Sequence, residues 1–323
     1  FSSPLPLARQ TSEELEQLVI EARKETGYGR KRLALYLRRQ GVSISPDTIR
    51  HILRRNGLVT KRKRRKPLYP ALWSWEQEEP FQLIQVDTKD VRDKGALGTA
   101  LVTHLDRQHL PRYQWTACDG RSRIRFLAYS HSLNSTNGMA FLILTTLWLR
   151  AHGITGEITF QTDWGQEFGG DNPVRIARLE TQFLQPLQAR LTRYPMGRKG
   201  YNGRVERSHR TDDEEFYRPY LTQIEDVAHW VQLAGHWVYF YNAVRPHTGK
   251  KMDNRTPLQV LRQLGYRGGD TIAYMPPIVL DDVSADILLS FDPEYGYHLL
   301  TQYILPRPHR PDTTADALFP RKE

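Results

Sequence analysis

Three observations in this sequence predict an α/β protein with an all-α module ahead of its core. The first sixty residues repeat apolar side chains at helical spacing only. From Phe81 onward the pattern turns to strand-like alternation broken by longer helical stretches. Between them stands "KRKRRK" (61–66), six consecutive cations that no core can accept. The expected layout is a helical domain over 1–60, a basic linker over 61–80, a mixed-sheet core over 81–245 and a C-terminal region over 246–323.

The helical domain holds three short helices. "TSEELEQLVIEARKET" opens with a Ser/Thr cap and acids in its first turn, with Leu15, Leu18 and Val19 on one face. "GRKRLALYLRRQG" places Leu33, Tyr36 and Leu37 inward and stops at Gly41. "SISPDTIRHILRRNGL" has Ser45 as cap, Pro46 at the first helical position, Ile49, Ile52 and Leu53 inward, and Gly57 as stop. Tight turns and a third helix bearing Arg50, Arg54 and Arg55 suit a helix-turn-helix. The formal net charge of +10 supports a polyanionic partner, because the cations cluster rather than spread. Lys61, Arg62, Lys63, Arg64, Arg65 and Lys66, on an extended segment, suit phosphate contacts.

In the core, "FQLIQVDTKDV" alternates as a strand ending near Asp87, and either "ALVTHL" or "RYQWTACD" supplies the next. "RIRFLAYS" follows after the turn "DGRSR". "MAFLILTTLWL" (139–149) is half the length a bilayer span needs and predicts a buried helix rather than a membrane segment. "GEITFQTD" is a strand ending at Asp163, where Gly165 lets the chain turn away. A mixed helical stretch and the strand "ARLTRY" follow, then helices over about 202–217 and 224–242. The aromatic stripe "WVQLAGHWVYFYN" suits core or a subunit contact better than base stacking. Beyond 245, short β-like runs between Asp, Pro and Gly turns predict a small β-rich domain or a hairpin, followed by a tail.

A single cysteine, Cys118, excludes an intrachain disulfide and fits a reducing cytoplasm. His209, His229, His236 and His247 share no ligand spacing, so no zinc site is expected, and His209 reads as a surface residue. The chain opens on Phe1 without a secretory signal pattern, so upstream sequence is expected. Two acids at strand ends and one on a helix crossing that edge would bring Asp87, Asp163 and Glu206 together. Converging carboxylates need a cation between them, and hard oxygen donors select Mg²⁺.

The blocks "VDTKDV", "TDWGQEF" and "NGRVERSHRTDDEEF" resemble, in order, the catalytic blocks of retroviral-integrase-like DDE transposases of the bacterial insertion-sequence type. "YNAVRPHTGKKMDNRTPLQVL" is similar to the segment after their core, and the first module to their helix-turn-helix. The resemblance covers roughly residues 11–262. It implies an RNase H-like core in which Asp87, Asp163 and Glu206 are the catalytic residues and ligands of two Mg²⁺ ions, with Mn²⁺ able to substitute. It also implies 3′-end cleavage at element ends and strand transfer into target DNA. The partners would be double-stranded DNA, further copies of the chain as a dimer or tetramer, and in some members a target-selecting ATPase, all at the bacterial nucleoid in the cytoplasm. Glu167, Phe168, Asn202, Gly203, Arg207 and Arg210 match neighbouring positions of those blocks, and Asn202, Glu206 and Arg210 would share a helix face. Arg198, Lys199, Arg204, Arg207 and Arg210 become candidate DNA contacts. "RSRIR" (121–125) reads equally as a DNA contact or a solvated hairpin.

The sequence departs from the family's pattern at three places. Trp164 follows the second aspartate where Asn is usual, 43 positions separate Asp163 from Glu206, and a Pro-Gln pair is absent before Asn202. Two other functions compete with a transferase, namely a purely hydrolytic RNase H-like nuclease and a catalytically silent transposase-derived scaffold or repressor. The helix-turn-helix speaks against the first, and the presence of all three acids against the second.

Overall fold

The computed structural model describes residues 11–59, 78–197, 199–289 and 291. These fall into two compact units: the N-terminal residues together with 246–254, and the remainder.

The first unit contains α1 (Glu13–Thr26), α2 (Arg30–Arg39) and α3 (Pro46–Arg55). Ser12 caps α1 by accepting from Leu15 N, and Gly27 ends it in the left-handed region at φ 66°. Ser45 caps α3 by accepting from Thr48 N, with Pro46 in the first turn. Val19, Leu33, Leu37, Ile44, Ile49, Ile52 and Leu53 form one buried cluster. The inward positions anticipated on α3 are therefore the observed ones. Residues 60–66, which include the six cations, lie outside the described residues.

The second unit is built on a five-stranded sheet in the order β3-β2-β1-β4-β5. The strands are β1 (Leu83–Asp90), β2 (Tyr113–Asp119), β3 (Arg125–Ser130), β4 (Ile158–Thr162) and β5 (Ala189–Arg193). The first three pair antiparallel, and β4 and β5 run parallel to β1 and to each other. This is an RNase H-like core. Between β1 and β2 stand α4 (Lys94–Leu97) and α5 (Thr99–Arg107), so "ALVTHL" is helical and "RYQWTACD" is the strand.

The helix α6 (Ser135–Ala151) crosses between β3 and β4, with residues 137–149 all buried. It packs on Ile84, Val86, Trp115, Ala117, Phe126, Ala128 and Phe160 in one apolar cluster. After β4 come α7 (Pro173–Leu179) and the Pro186 turn, then β5. On the other face lie α8 (Gly203–Asp212), continued through a π-helical turn into α9 (Arg218–Tyr220), and α10 (Val227–Tyr239).

Over 246–289 the described residues hold no strand, which corrects the β-like reading of that part, while the β-like runs expected after Phe291 lie outside the described residues. Instead α11 (Pro257–Gln263), α12 (Ser284–Leu289) and short turns place Leu258, Leu261, Ile272, Met275, Leu280 and Ile287 in the α6 cluster. The β-like appearance of this segment came from closely spaced apolar residues. They are buried side by side against α6 rather than alternating across a sheet. One isolated bridge, Tyr129 to Val279, is its nearest approach to strand pairing.

Candidate active site at the β1–β4 edge

The alternation along β1 sorts its residues between the two faces of the sheet. Ile84 and Val86 face α6, while Gln85, Asp87 and Lys89 face α8. Asp87 does not end its strand, as the sequence suggested. It is paired with Thr116 of β2, and that pairing continues to Asp90. What ends near it is the pairing with β4, whose last partner on β1 is Gln85. Asp87 is therefore the first inward residue beyond the parallel neighbour. Asp163 follows β4 directly, and its Oδ1 accepts from Gly165 N at 2.8 Å.

Glu206 lies in the first turn of α8. The N-terminus of that helix is fastened by two glutamines that are register partners on β1 and β4. Gln85 Nε2 and Gln161 Nε2 both donate to Tyr201 O, at 2.6 and 3.3 Å, and Gln85 Oε1 accepts from Arg204 N at 3.1 Å. Asn202 is buried and donates to Val86 O at 3.3 Å, so it anchors the helix and does not share an exposed face with Arg210. Polar residues at every second position of β1 were the signal that could have found this clamp.

The three acids bear on one another. Burial, then Asp163, then Glu206 raise Asp87 to about 8, with a smaller contribution from Glu167. A second group reports the same convergence. Burial pushes the phenol of Tyr194, just after β5, up from its usual value, and Asp163, Asp87 and Glu206 add to the shift in that order. As the side chains stand, no three or more His, Cys, Asp or Glu among the described residues form an ion-holding group. The donor set itself suits a hard divalent cation. All the donors are carboxylate oxygens, and Asp87, raised to about 8, keeps most of its proton at neutral pH unless positive charge compensates.

Glu167 is buried on a short 3₁₀ turn (Gln166–Phe168) and accepts from Thr88 Oγ1 at 2.8 Å. Its carboxylate explains Gly165, which is extended at φ −62° and so is not required for a turn. A Cβ at Gly165 would stand 2.4 Å from Glu167 Oε2. Trp164 packs at the end of β5 rather than on α8. Its Nε1 donates to Tyr194 O at 2.9 Å, and the Arg193 guanidinium lies 4.9 Å from its ring centre.

His209 is buried, which corrects its reading as a surface residue. Its Nδ1 stands 3.6 Å from Asp87 Oδ2, and its Nε2 is 3.0 Å from Thr116 Oγ1. Burial, helped by Lys89 and Arg125, holds its pKa down near 3, so the ring is neutral. Arg125 is also buried, with Nη1 2.7 Å from Asp212 Oδ1 and its guanidinium 3.5 Å from the Tyr241 ring centre. It is therefore removed from the "RSRIR" candidates.

Among the other predicted contacts, Arg50, Arg54, Arg207 and Arg210 are exposed. Arg55 is exposed but committed, its Nε donating to Glu16 Oε1 at 2.6 Å and tying α3 to α1. Arg204 is half-buried, and its desolvation, together with neighbouring Arg123, lowers it to about 9. Arg198 and the side chain of Lys199 lie outside the described residues, as do Lys61, Arg62, Lys63, Arg64, Arg65 and Lys66. A cavity of about 370 Å³ opens beside Glu206, lined also by His209, Arg210, Asp213, Arg218 and the start of α4. No described helix is long and apolar enough to cross a membrane.

Comparison with known proteins gives a family match and likenesses among solved structures. Residues 10–66 match the HTH-like domain family. No curated protein matches the chain. Among solved structures, the chain is similar to one in a cryo-EM structure of the simian T-cell lymphotropic virus intasome in complex with the PP2A regulatory subunit B56 gamma. That likeness has 14% identity and a TM-score of 0.35, and covers 75% of this chain and 74% of the other. The helix-turn-helix-like module therefore has a family match of its own, and the core is described by its own strand order and register.

Proposed function

We propose that this chain is a DNA transposase or integrase of the DDE type, cleaving element ends and joining the freed 3′-OH to target DNA. The observation that carries this reading is the convergence of three acids from separate elements. Asp163 and Glu206 both raise buried Asp87, and both act on Tyr194 as well. A cluster of this kind costs stability without a cation, so its presence favours a working site. Asp87, Asp163 and Glu206 would hold two Mg²⁺ ions, with Mn²⁺ as a substitute. When bound, such ions supply an activated attacking oxygen and neutralise charge on the leaving 3′ oxygen.

The chain's own residues would do the remainder. Gln85 and Gln161 hold the first turn of α8, and with it Glu206, against the sheet. Arg207 and Arg210, exposed on the same helix, would contact phosphates of the DNA. Arg50 and Arg54 on α3 would bind element ends. Engaging two ends and a target calls for at least a dimer.

The test is strand transfer with Mg²⁺, using labelled terminal DNA of the encoding element and a plasmid target. Asp87→Asn, Asp163→Asn and Glu206→Gln are run beside wild type. Joined product from wild type alone is expected. Cleavage without joining would favour a hydrolytic nuclease, end binding without chemistry a scaffold, and a fully active variant would remove that residue from the triad.

A further inference from the structure

We propose that His209 is a positioning residue for Asp87: a buried chain of hydrogen bonds from Asp212 through Gln114 and Thr116 holds its ring in the Nδ1–H tautomer, facing Asp87 Oδ2. The inference rests on the reading of Asp87 as a metal ligand only for its functional consequence. The tautomer follows from hydrogen-bond accounting alone.

Asp212 lies against Arg125 and accepts from Trp237 Nε1 at 2.7 Å. A carboxylate in that place can only accept, so the Gln114 group 2.8 Å from its Oδ2 must be the amide nitrogen. The Gln114 oxygen, at the other end of the amide, accepts from the Tyr217 hydroxyl, which agrees with that orientation. The second hydrogen on Gln114 Nε2 is donated to Thr116 Oγ1 at 2.8 Å.

Thr116 is fully buried, and the remaining polar neighbour of its hydroxyl is His209 Nε2 at 3.0 Å. A hydroxyl has one hydrogen to give. If His209 Nε2 carried a hydrogen too, that of Thr116 would be left unmade in a dry interior, at a cost of about 1–3 kcal/mol. Thr116 therefore donates and His209 Nε2 accepts. In the neutral ring the hydrogen is then on Nδ1, the nitrogen 3.6 Å from Asp87 Oδ2. That separation is wider than a hydrogen bond, so Nδ1–H faces Oδ2 without bonding it as the side chains stand.

The consequence is directional. The Nδ1–H faces Oδ2 from the helix side, while the Thr88 backbone N–H also donates to the Asp87 carboxylate. Groups that orient a ligating carboxylate in this manner typically raise metal affinity 10–100-fold. Asp87 and Thr116 are register partners on β1 and β2, and His209 is three residues after Glu206. One imidazole thus ties the strand that bears one acid to the helix that bears another.

Two measurements decide the proposal. Long-range ¹H–¹⁵N spectra of metal-free protein at pH 9, where Asp87 has lost its proton and can only accept, with His209 assigned from its absence in His209→Asn, should show the hydrogen on Nδ1. In Thr116→Val, which keeps the shape and removes the donor, that preference should be lost. A ring with its hydrogen on Nε2 overturns the hydrogen-bond chain.

Calorimetric Mn²⁺ titration then compares His209→Asn, His209→Gln and Thr116→Val with wild type. Asn keeps a donor where Nδ1 stands, and Gln keeps a polar group only where Nε2 stands. Near-native affinity in Asn, with a loss of about tenfold or more in Gln and in Val, is expected. Equal losses in Asn and Gln, or none in any variant, would leave His209 a packing residue and overturn positioning. Failure of wild type itself to bind Mn²⁺ would overturn the metal reading of Asp87, and with it the positioning role, while the tautomer result stands separately.

Discussion

The two faces of the sheet in the second unit are built from the same strands and differ in nearly every other respect. On the α6 face, residues 137–149 bury a continuous apolar layer against Trp115, Phe126 and Phe160. On the α8 face the same strands present Gln85, Asp87, Lys89, Gln114 and Thr116 to a helix that answers with Glu206, His209, Asp212 and Asp213. Apolar burial is non-directional, so the first face yields stability and tolerates some repacking. A buried polar network demands geometry of every member and yields little net stability in return. The difference teaches where specificity is located in this molecule, namely on the face that holds the acids.

The largest effects should come from the interior of each face. Phe141→Ala on α6 should cost about 3–5 kcal/mol in urea unfolding of the full chain. Arg125→Ala should cost a similar ~3–5 kcal/mol, because Asp212 is left charged and buried. The paired change Arg125→Met with Asp212→Leu separates the two cases. Arg125 relies on charge and stacking, since its N–H groups lack aligned hydrogen-bond partners. The double variant should therefore recover most of the loss, and a loss as deep as in Arg125→Ala would contradict a network held for specificity.

Next in size is the effect of the acids on the metal-free chain. Asp87 holds its proton in the folded state up to about 8, whereas an unfolded aspartate ionises near ~4. Across that window the folded chain binds more protons, so its stability falls as pH rises. In EDTA, Asp87→Asn should be more stable than wild type by up to about 5 kcal/mol at pH 8, with the gain shrinking to about 1–2 kcal/mol toward pH 5. A gain independent of pH would mean that the acids do not converge.

Smaller in stability, but large in activity, is Gln85→Ala. It removes the bonds to Tyr201 O and Arg204 N at a cost of about 1–2 kcal/mol. Strand transfer should fall more than tenfold, because Glu206 is no longer fixed against β1. The smallest effect belongs to the first unit. Arg54→Ala should leave folding unchanged and reduce the salt slope of end binding by about one.

Much of this organisation was legible before the structure. Ser12, Gly27, Ser45 and Pro46 mark helix ends through backbone chemistry that acts within a few residues. The positions of Asp163 and Glu206 followed from the ends of strongly patterned elements. Long-range pairing was less legible. Asp87 was placed at a strand end because the apolar alternation stops there, yet pairing with β2 carries the strand on to Asp90. Arg55, Arg125 and His209 look solvated by type, and only partners 39, 87 and 93 residues away show otherwise. The region after 255 misled for the opposite reason, since apolar residues packed on a helix need no period of their own.

The approach of that region to β3 also bears on colloidal behaviour. β3 is the outermost strand of the antiparallel half, and its free side would template pairing with another chain. Tyr129 N donates to Ile278 O at 2.9 Å, and Asp281 accepts from His131 N and Ser132 N at the strand's end. The segment thus shields that edge, although it adds no strand. A chain cut back before Pro276 would keep its acids and expose an unpaired ladder, and the first symptom would be self-association through β3 rather than loss of chemistry.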